Sequence, residues 1–169
     1  MHHHGCKLLY LLHGPNLNML GKREPGIYGS RSLDDVVLAV ERAILKRPQL
    51  EEQGTRADQC SVKLVHRQTN SEAELISWFQ EIFQDVQNTA GVIINPGAFT
   101  HYSYGLRDAM AMLSSSSAPV VEVHISNPHA RENFRHNSVV SPVVTGTIAG
   151  LGVVGYELAA EYIRKLQDV

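Results

Sequence analysis

Leu8-Leu9-Tyr10-Leu11-Leu12-His13-Gly14-Pro15-Asn16 is the stretch from which the fold is read. Five consecutive apolar residues without polar alternation suit a strand covered on both faces, as in a parallel sheet, although so short a run also fits part of a buried helix. The Gly14-Pro15 pair favours a strand with a sharp exit. The loop that follows, as far as Gly29, carries Asn16, Arg23 and Tyr28. Ligands of open parallel sheets bind beyond the carboxyl ends of the strands, so these three residues stand where a site is expected.

Downstream, Ser32-Leu33-Asp34-Asp35 has the form of a helix N-cap with an acid three positions on, and Leu33, Val36, Val37, Val40 and Ile44 recur at helical spacing before Pro48. Residues Arg47 to Ser61 are polar and read as a long surface connection of the kind that tolerates insertion. Val62 to His66 is a second strand, and Ser71-Glu72-Ala73-Glu74 is a capping box opening a helix whose apolar face runs Leu75, Ile76, Phe79, Ile82, Phe83, Val86. Gly91 to Asn95 is a third strand stopped by Pro96-Gly97. Thr100 to Tyr104 then form a polar loop before a helix containing Leu106, Ala109, Met110 and Leu113. A fourth strand spans Pro119 to Ser126 and a fifth Val143 to Ile148, with Gly150, Gly152 and Gly155 leading into a last helix. Five βα repeats imply an α/β fold: a flavodoxin-like, doubly wound, five-stranded parallel sheet in a single domain.

At 169 residues the chain fits one domain, which at that size removes roughly 70% of its unfolded surface from water. A net charge of −2 gives no basic field for nucleic acid or a membrane surface. Met1 to Gly5 reads as the remnant of a purification tag, leaving residues 6–169 as the domain. Cys6 and Cys60 lack metal-ligand spacing and are read as reduced. With no apolar run of about 20 residues, a cytoplasmic protein is expected.

Three strand ends share one edge of such a sheet. Asn16, Arg23 and Tyr28 follow the first, Asn95 and His101 the third, and His124 and Ser126 lie at the fourth, with Arg131 and Arg135 in the next loop. Fixed cations, titratable groups and neutral hydrogen-bonders together suit a small, hydroxylated, anionic substrate. The sequence has no HExxH, CxxC or Walker A motif. Glu122 and His124, two apart on a strand, project to one side; the carboxylate can fix the imidazole, or the histidine can be an ordinary packed one. A guanidinium beside a tyrosine favours the phenolate, and lowering its pKa by two units takes about 2.7 kcal/mol. Arg23 and Tyr28 can form such a pair, or be solvated loop residues. His66, His129 and His136 read as solvated or packed, and Tyr102 and Tyr104 as packing residues or pocket wall. A flavin or phosphate-signalling module on this fold would want a Ser/Thr-rich loop or clustered acids after the first strand, and His13-Gly14-Pro15-Asn16 is neither. A catalytically silent assembly protein is not separated from an enzyme by composition.

Longer motifs carry a resemblance. His13-Gly14-Pro15-Asn16-Leu17-Asn18-Met19-Leu20-Gly21, Arg23-Glu24-Pro25 with Tyr28-Gly29, Asn95 to His101, Glu122 to Asn127, His129 to Arg135 and the segment from Gly150 to Tyr156 resemble type II 3-dehydroquinate dehydratase, in order and over nearly the whole chain. The Arg47 to Ser61 connection departs from that pattern in length.

The resemblance implies dehydration of 3-dehydroquinate to 3-dehydroshikimate by anti elimination through an enol or enolate, with no metal, cofactor or Schiff base. Of the five lysines only Lys22 lies in a site loop, which fits the last point. It further implies Tyr28 as base, Arg23 as its electrostatic support, Asn16 as holder of a water against the enolate oxygen, and His124 backed by Glu122 as acid. Ile125 and Ser126 would bind the substrate carboxylate and Asn95, His101 and Arg135 its hydroxyls. Asp108 would reach a neighbouring subunit's site, and Arg131 would belong to a lid with the Leu20 to Gly29 loop. The implied assembly is a dodecamer built of trimers, and the implied context is either the shikimate pathway to aromatic amino acids or quinate breakdown.

Overall fold

The computed structural model describes residues 6–22, 26, 30–45 and 62–167. The expectations placed on residues 1–5, on Arg23 and Tyr28, on Pro48, on Cys60 and on the connection from Arg47 to Ser61 lie outside the described residues.

The opening apolar run is β1 (Lys7–His13). Leu9 and Leu11 enter one hydrophobic cluster, Tyr10 and Leu12 a second, and all four are buried. Both faces of this strand are therefore dry, which is why its sequence shows no alternation. It is followed by α1 (Leu33–Leu45), β2 (Val62–Gln68), α2 (Glu72–Gln84), β3 (Thr89–Asn95), α3 (Tyr104–Ala111), β4 (Val120–His124), β5 (Gly146–Ala149) and α4 (Val154–Gln167). Every strand pair is parallel, in the order β2-β1-β3-β4-β5. This is the flavodoxin-like doubly wound sheet expected from the sequence. Val36 and Val40 of α1 and Tyr156, Ala159 and Ile163 of α4 cover one face. Leu75, Phe79 and Ile82 of α2 and Leu106 and Met110 of α3 cover the other. Burying side chains of the size of Phe79 or Ile82 contributes about 1.5–3 kcal/mol each.

The register aligns the strand ends that matter. His13 pairs with Gln68 on one side and Asn95 on the other, and His124 pairs with Ala149. At the switch point between β1 and β3 the two exits touch: Gly14 N–H donates to the Asn95 carbonyl at 2.8 Å. A Cβ at position 14 would meet the Pro96 oxygen at 2.6 Å, so only glycine permits this approach.

The helix starts differ from expectation in detail. The unconventional box at Ser32 is complete: Ser32 N–H donates to Asp35 Oδ2 at 2.8 Å and Asp35 N–H to Ser32 Oγ at 3.2 Å. The Ser71 box is half made. Glu74 N–H donates to Ser71 Oγ, but the Glu74 carboxylate takes the Thr69 hydroxyl, and Thr69 Oγ1 accepts the Ser71 N–H.

Three further boundaries are corrected. The fifth strand starts at Gly146, because Pro142 opens a 3-10 turn, Ser141–Val143, that withdraws Val143 from the ladder. The fourth ends at His124; beyond it the carbonyls of His124 and Ile125 accept from Gly150 and Gly152. In α2, Trp78 is buried, whereas Phe83 is 45% exposed and Val86 falls in a following 3-10 turn.

His13 is fully buried beside Tyr156 and His66, with ring centroids 5.3 and 5.1 Å away, and neither of its ring nitrogens has a hydrogen-bond partner among the described residues. Burial, aided by His66, pushes its pKa down to about 3. The native ring thus stays neutral while the unfolded chain's His13 takes a proton below its ordinary value of about 6.5. Stability is present above that value and is lost as pH falls toward 3, at about 1.4 kcal/mol per pH unit from this group. Urea unfolding should show His13→Asn losing less stability than the parent between pH 6.5 and 4.5, by about 2–3 kcal/mol. Equal losses would refute the buried neutral ring.

Candidate active site

A cavity of about 130 Å³ opens at the carboxyl ends of β1, β3 and β4. The loop after β1 gives it Pro15, Asn16, Leu17 and Leu20, and the exit of β3 gives Asn95, Gly97, Ala98 and His101. The end of β4 and its loop give His124, Ile125, Ser126, Pro128, Arg131 and Arg135. Eight residues assigned from the sequence, Asn16, Asn95, His101, His124, Ile125, Ser126, Arg131 and Arg135, are thereby brought together. Glu122 stands immediately behind them.

Two of these positions are held by groups the sequence did not single out. Asn16 is the one non-glycine residue at positive φ (67°) among the described residues, a conformation asparagine tolerates better than most. Its N–H donates to Asn70 Oδ1 at 2.9 Å, and Gln68 Nε2 bridges Gly14 O and Asn70 Oδ1, so the loop after β2 fixes the loop after β1. Asn95, 4% exposed, donates through Nδ2 to Tyr156 Oη at 2.8 Å and accepts the Gly97 N–H at 3.0 Å. These bonds settle the orientation of the amide and leave one N–H and one lone pair for a ligand. Burial pushes the Tyr156 phenol up, so it is neutral.

Glu122 is wholly buried and His124 Nε2 lies 2.7 Å from its Oε1. Strand alternation puts Val121 and Val123 on the α1/α4 face, and Glu122 and His124 together on the other. Thr100 Oγ1 donates to Oε1 at 2.5 Å, Ser141 Oγ donates to Oε2, and Thr147 Oγ1 lies 3.3 Å from Oε2. Burial alone would raise the carboxyl's pKa; the bond and charge of His124 and the hydroxyls of Ser141 and Thr100 outweigh it and bring it below the usual value. Glu122 is therefore a carboxylate, and an acceptor toward His124. With Nε2–H turned to Glu122, the Nδ1 position is the one left to serve a ligand.

His101 is set the other way. Its Nδ1 lies 2.8 Å from the Asn137 carbonyl, which can only accept, so Nδ1 carries the hydrogen. Burial lowers its pKa, against the Asn137 bond and with the charge of Arg135, keeping the ring neutral at pH 7 with Nε2 as an acceptor. A hydroxyl is the complementary partner. Arg135 Nε donates to Glu132 Oε2 at 2.8 Å and its guanidinium lies over Phe134 at 4.6 Å. Arg131 Nη1 reaches Ser126 Oγ at 3.4 Å. Two guanidinium groups on one wall suit an anion.

Other expectations are placed elsewhere. Asp108 does not line this cavity; its side chain is 78% exposed and pairs with Arg107 at 3.3 Å. Tyr102 and Tyr104 are not cavity walls either: they are 57% and 68% exposed, because Ser103 between them is the buried cap of α3, which turns its neighbours outward. His66 is packed, and His129 and His136 are exposed neighbours with centroids 5.7 Å apart. Among the described residues no helix is long and apolar enough to cross a membrane.

Comparison with known proteins supplies the family. The profile of the family described as dehydroquinase class II matches residues 7–164. A 3-dehydroquinate dehydratase of Halalkalibacterium halodurans is 52% identical over 151 residues, covering 89% of this chain and 91% of the relative. One from Deinococcus radiodurans is 48% identical, covering 95% and 100%. The crystal structure of type II dehydroquinase from Propionibacterium acnes superposes with a TM-score of 0.78 at 42% identity, covering 94% of this chain and 97% of that one. With a family match along residues 7–164 and relatives about half identical over nearly the whole chain, the chain belongs to the class II dehydroquinases.

Proposed function

We propose that this protein is a hydro-lyase that converts 3-dehydroquinate to 3-dehydroshikimate by anti elimination through an enolate. The observation that carries this reading is the buried Glu122 carboxylate 2.7 Å from His124 on the wall of an arginine-lined cavity, in a member of this family.

In this reading Tyr28, with its phenolate favoured by Arg23, takes the proton from C2, and the electron pair moves to the C3 carbonyl oxygen. Asn16 holds a water against that oxygen, so that the developing charge meets a donor already in place. The enolate collapses, the C1–O bond breaks, and the departing hydroxyl takes a proton from Nδ1 of the His124 imidazolium, leaving as water. Glu122 stabilises that imidazolium. The Tyr28 proton passes to solvent, and His124 regains one from it. Ile125 and Ser126 receive the carboxylate, while Asn95, His101 and Arg135 receive the hydroxyls. His101 Nε2 and the free half of the Asn95 amide suit that task. Arg131 belongs to a lid closing with the Leu20 to Gly29 loop, and Asp108, exposed here, serves a neighbouring subunit within trimers of a dodecamer. Residues 6–169 form one cytoplasmic catalytic domain behind a tag remnant. The same elimination serves the shikimate pathway and quinate breakdown.

Purified protein given 3-dehydroquinate should generate the ultraviolet absorbance of the conjugated product, equally with a chelator present and after borohydride treatment with substrate. Absence of turnover by folded protein would overturn the reading. Loss with chelator or borohydride would replace its chemistry with a metal or imine route.

A further inference from the structure

An ionised carboxylate offers about four acceptor sites, two per oxygen, and no donor. On Glu122 they are fully subscribed: His124 and Thr100 on Oε1, Ser141 and Thr147 on Oε2. Three of the four donors are hydroxyls from different parts of the chain. Thr100 comes from the 3-10 turn after β3, Ser141 from the turn before β5, and Thr147 from β5 itself. The Thr100 oxygen lies 2.7 Å from Ser138 Oγ. Since Thr100 gives its hydrogen to Glu122, Ser138 must give its own to Thr100. Ser138 Oγ in turn accepts the backbone N–H groups of Val140, at 3.2 Å, and Ser141, at 2.9 Å. The direction of every hydroxyl hydrogen in this chain is fixed.

We infer that Thr100, Ser141 and Thr147, with Ser138 behind Thr100, are positioning residues of the elimination, spreading the charge of Glu122 so that the shared proton stays on His124 Nε2 and the ring can offer its Nδ1 proton to the leaving group. The inference rests on His124 acting as the acid in the reading above. Two demands on Glu122 compete. It must be anionic to hold an imidazolium, yet a bare buried carboxylate 2.7 Å from the ring would draw the proton onto itself and weaken the acid. Hydroxyl donors resolve the conflict, because bonds to an ionised acceptor are strong and are lost when it is protonated. Other titratable or charged groups around the pair are His101 from the β3 exit and Arg131 and Arg135 from the loop after β4, all on the cavity side. Thr100, Ser141 and Thr147 are not among the residues that line the cavity.

The test is Ser141→Ala, Thr147→Val and Thr100→Val, with Thr100→Ser as the conservative rescue, each assayed with 3-dehydroquinate over pH. Removing Ser141 or Thr100 should lower kcat about tenfold with KM little changed, and shift the alkaline limb of the kcat profile up by about half to one unit, since the less neutralised pair holds its proton more tightly. Thr147→Val, at the longest contact, should do less, and Thr100→Ser should restore both quantities. The ring ¹⁵N resonances of His124 should show proton density moving from Nε2 toward Glu122 in Ser141→Ala. A fall in kcat with an unmoved limb and unchanged ¹⁵N resonances would reduce the hydroxyls to packing and overturn the inference. Should Thr100→Val fail to fold, Ser141→Ala at a half-buried position and its ¹⁵N spectrum still decide. His124→Asn separates the two claims: if it retains full turnover, the acid assignment fails whatever the hydroxyls do. If it is inactive while Ser141→Ala leaves the limb and the resonances unmoved, the acid stands and this inference falls.

Discussion

His124→Asn is expected to lower kcat for 3-dehydroquinate by about 10²–10⁴-fold, the usual contribution of a positioned general acid. KM should change little, because the arginines and His101 that line the cavity remain. Asparagine keeps a donor beside Glu122, so the buried carboxylate is not stranded and folding is preserved. The more informative effect lies in the first half of the reaction. In the proposed mechanism the base is Tyr28, which this substitution leaves in place, so proton removal from C2 should continue. Without an acid the enolate cannot expel the C1 hydroxyl, and it returns to substrate carrying a solvent hydrogen. Recovered 3-dehydroquinate from deuterated water should therefore be labelled at C2. Wild-type turnover in this variant would eliminate His124 as the acid.

Tyr28→Phe should remove turnover by a similar factor of about 10²–10⁴, for the opposite reason. Phenylalanine fills the same space and removes one oxygen, so an effect this large cannot be assigned to a collapsed loop if near-native substrate binding persists by calorimetry. The variant should neither eliminate nor exchange at C2, because no enolate forms. Substantial activity would transfer the role of base to another group, and Tyr102 and Tyr104 are poor substitutes, being exposed and away from the cavity.

The parts of this molecule that could be read from sequence are those in which one physical demand dominates. Leu8 to Leu12 had to be apolar because both faces of β1 are covered, and Gly14 had to be glycine because the β3 exit passes 2.6 Å from where its Cβ would be. Glu122 and His124 were legible as a pair because strand periodicity forces i and i+2 to one side. What escaped was set by contacts between distant segments. Asn70 holds Asn16 across 54 positions and Tyr156 holds Asn95 across 61. The hydroxyls on Glu122 come from positions 100, 141 and 147, where Ser and Thr look like ordinary loop residues. The one available signal was negative: a carboxylate at the centre of an apolar strand must find donors somewhere. The Ser71 box misled because Thr69 competes for Glu74, a rivalry that appears only once the turn is folded. Val143 looked like strand, but Pro142 before it sets a turn.

The central claim is that two groups divide the reaction, one making an enolate and the other discharging it. Proton NMR of 3-dehydroquinate recovered after incubation in deuterated water with His124→Asn and with Tyr28→Phe, each against an enzyme-free control, tests it most directly. C2 deuterium above the control is expected with His124→Asn and none above it with Tyr28→Phe. Exchange with Tyr28→Phe, or its absence with a folded, substrate-binding His124→Asn, would contradict it.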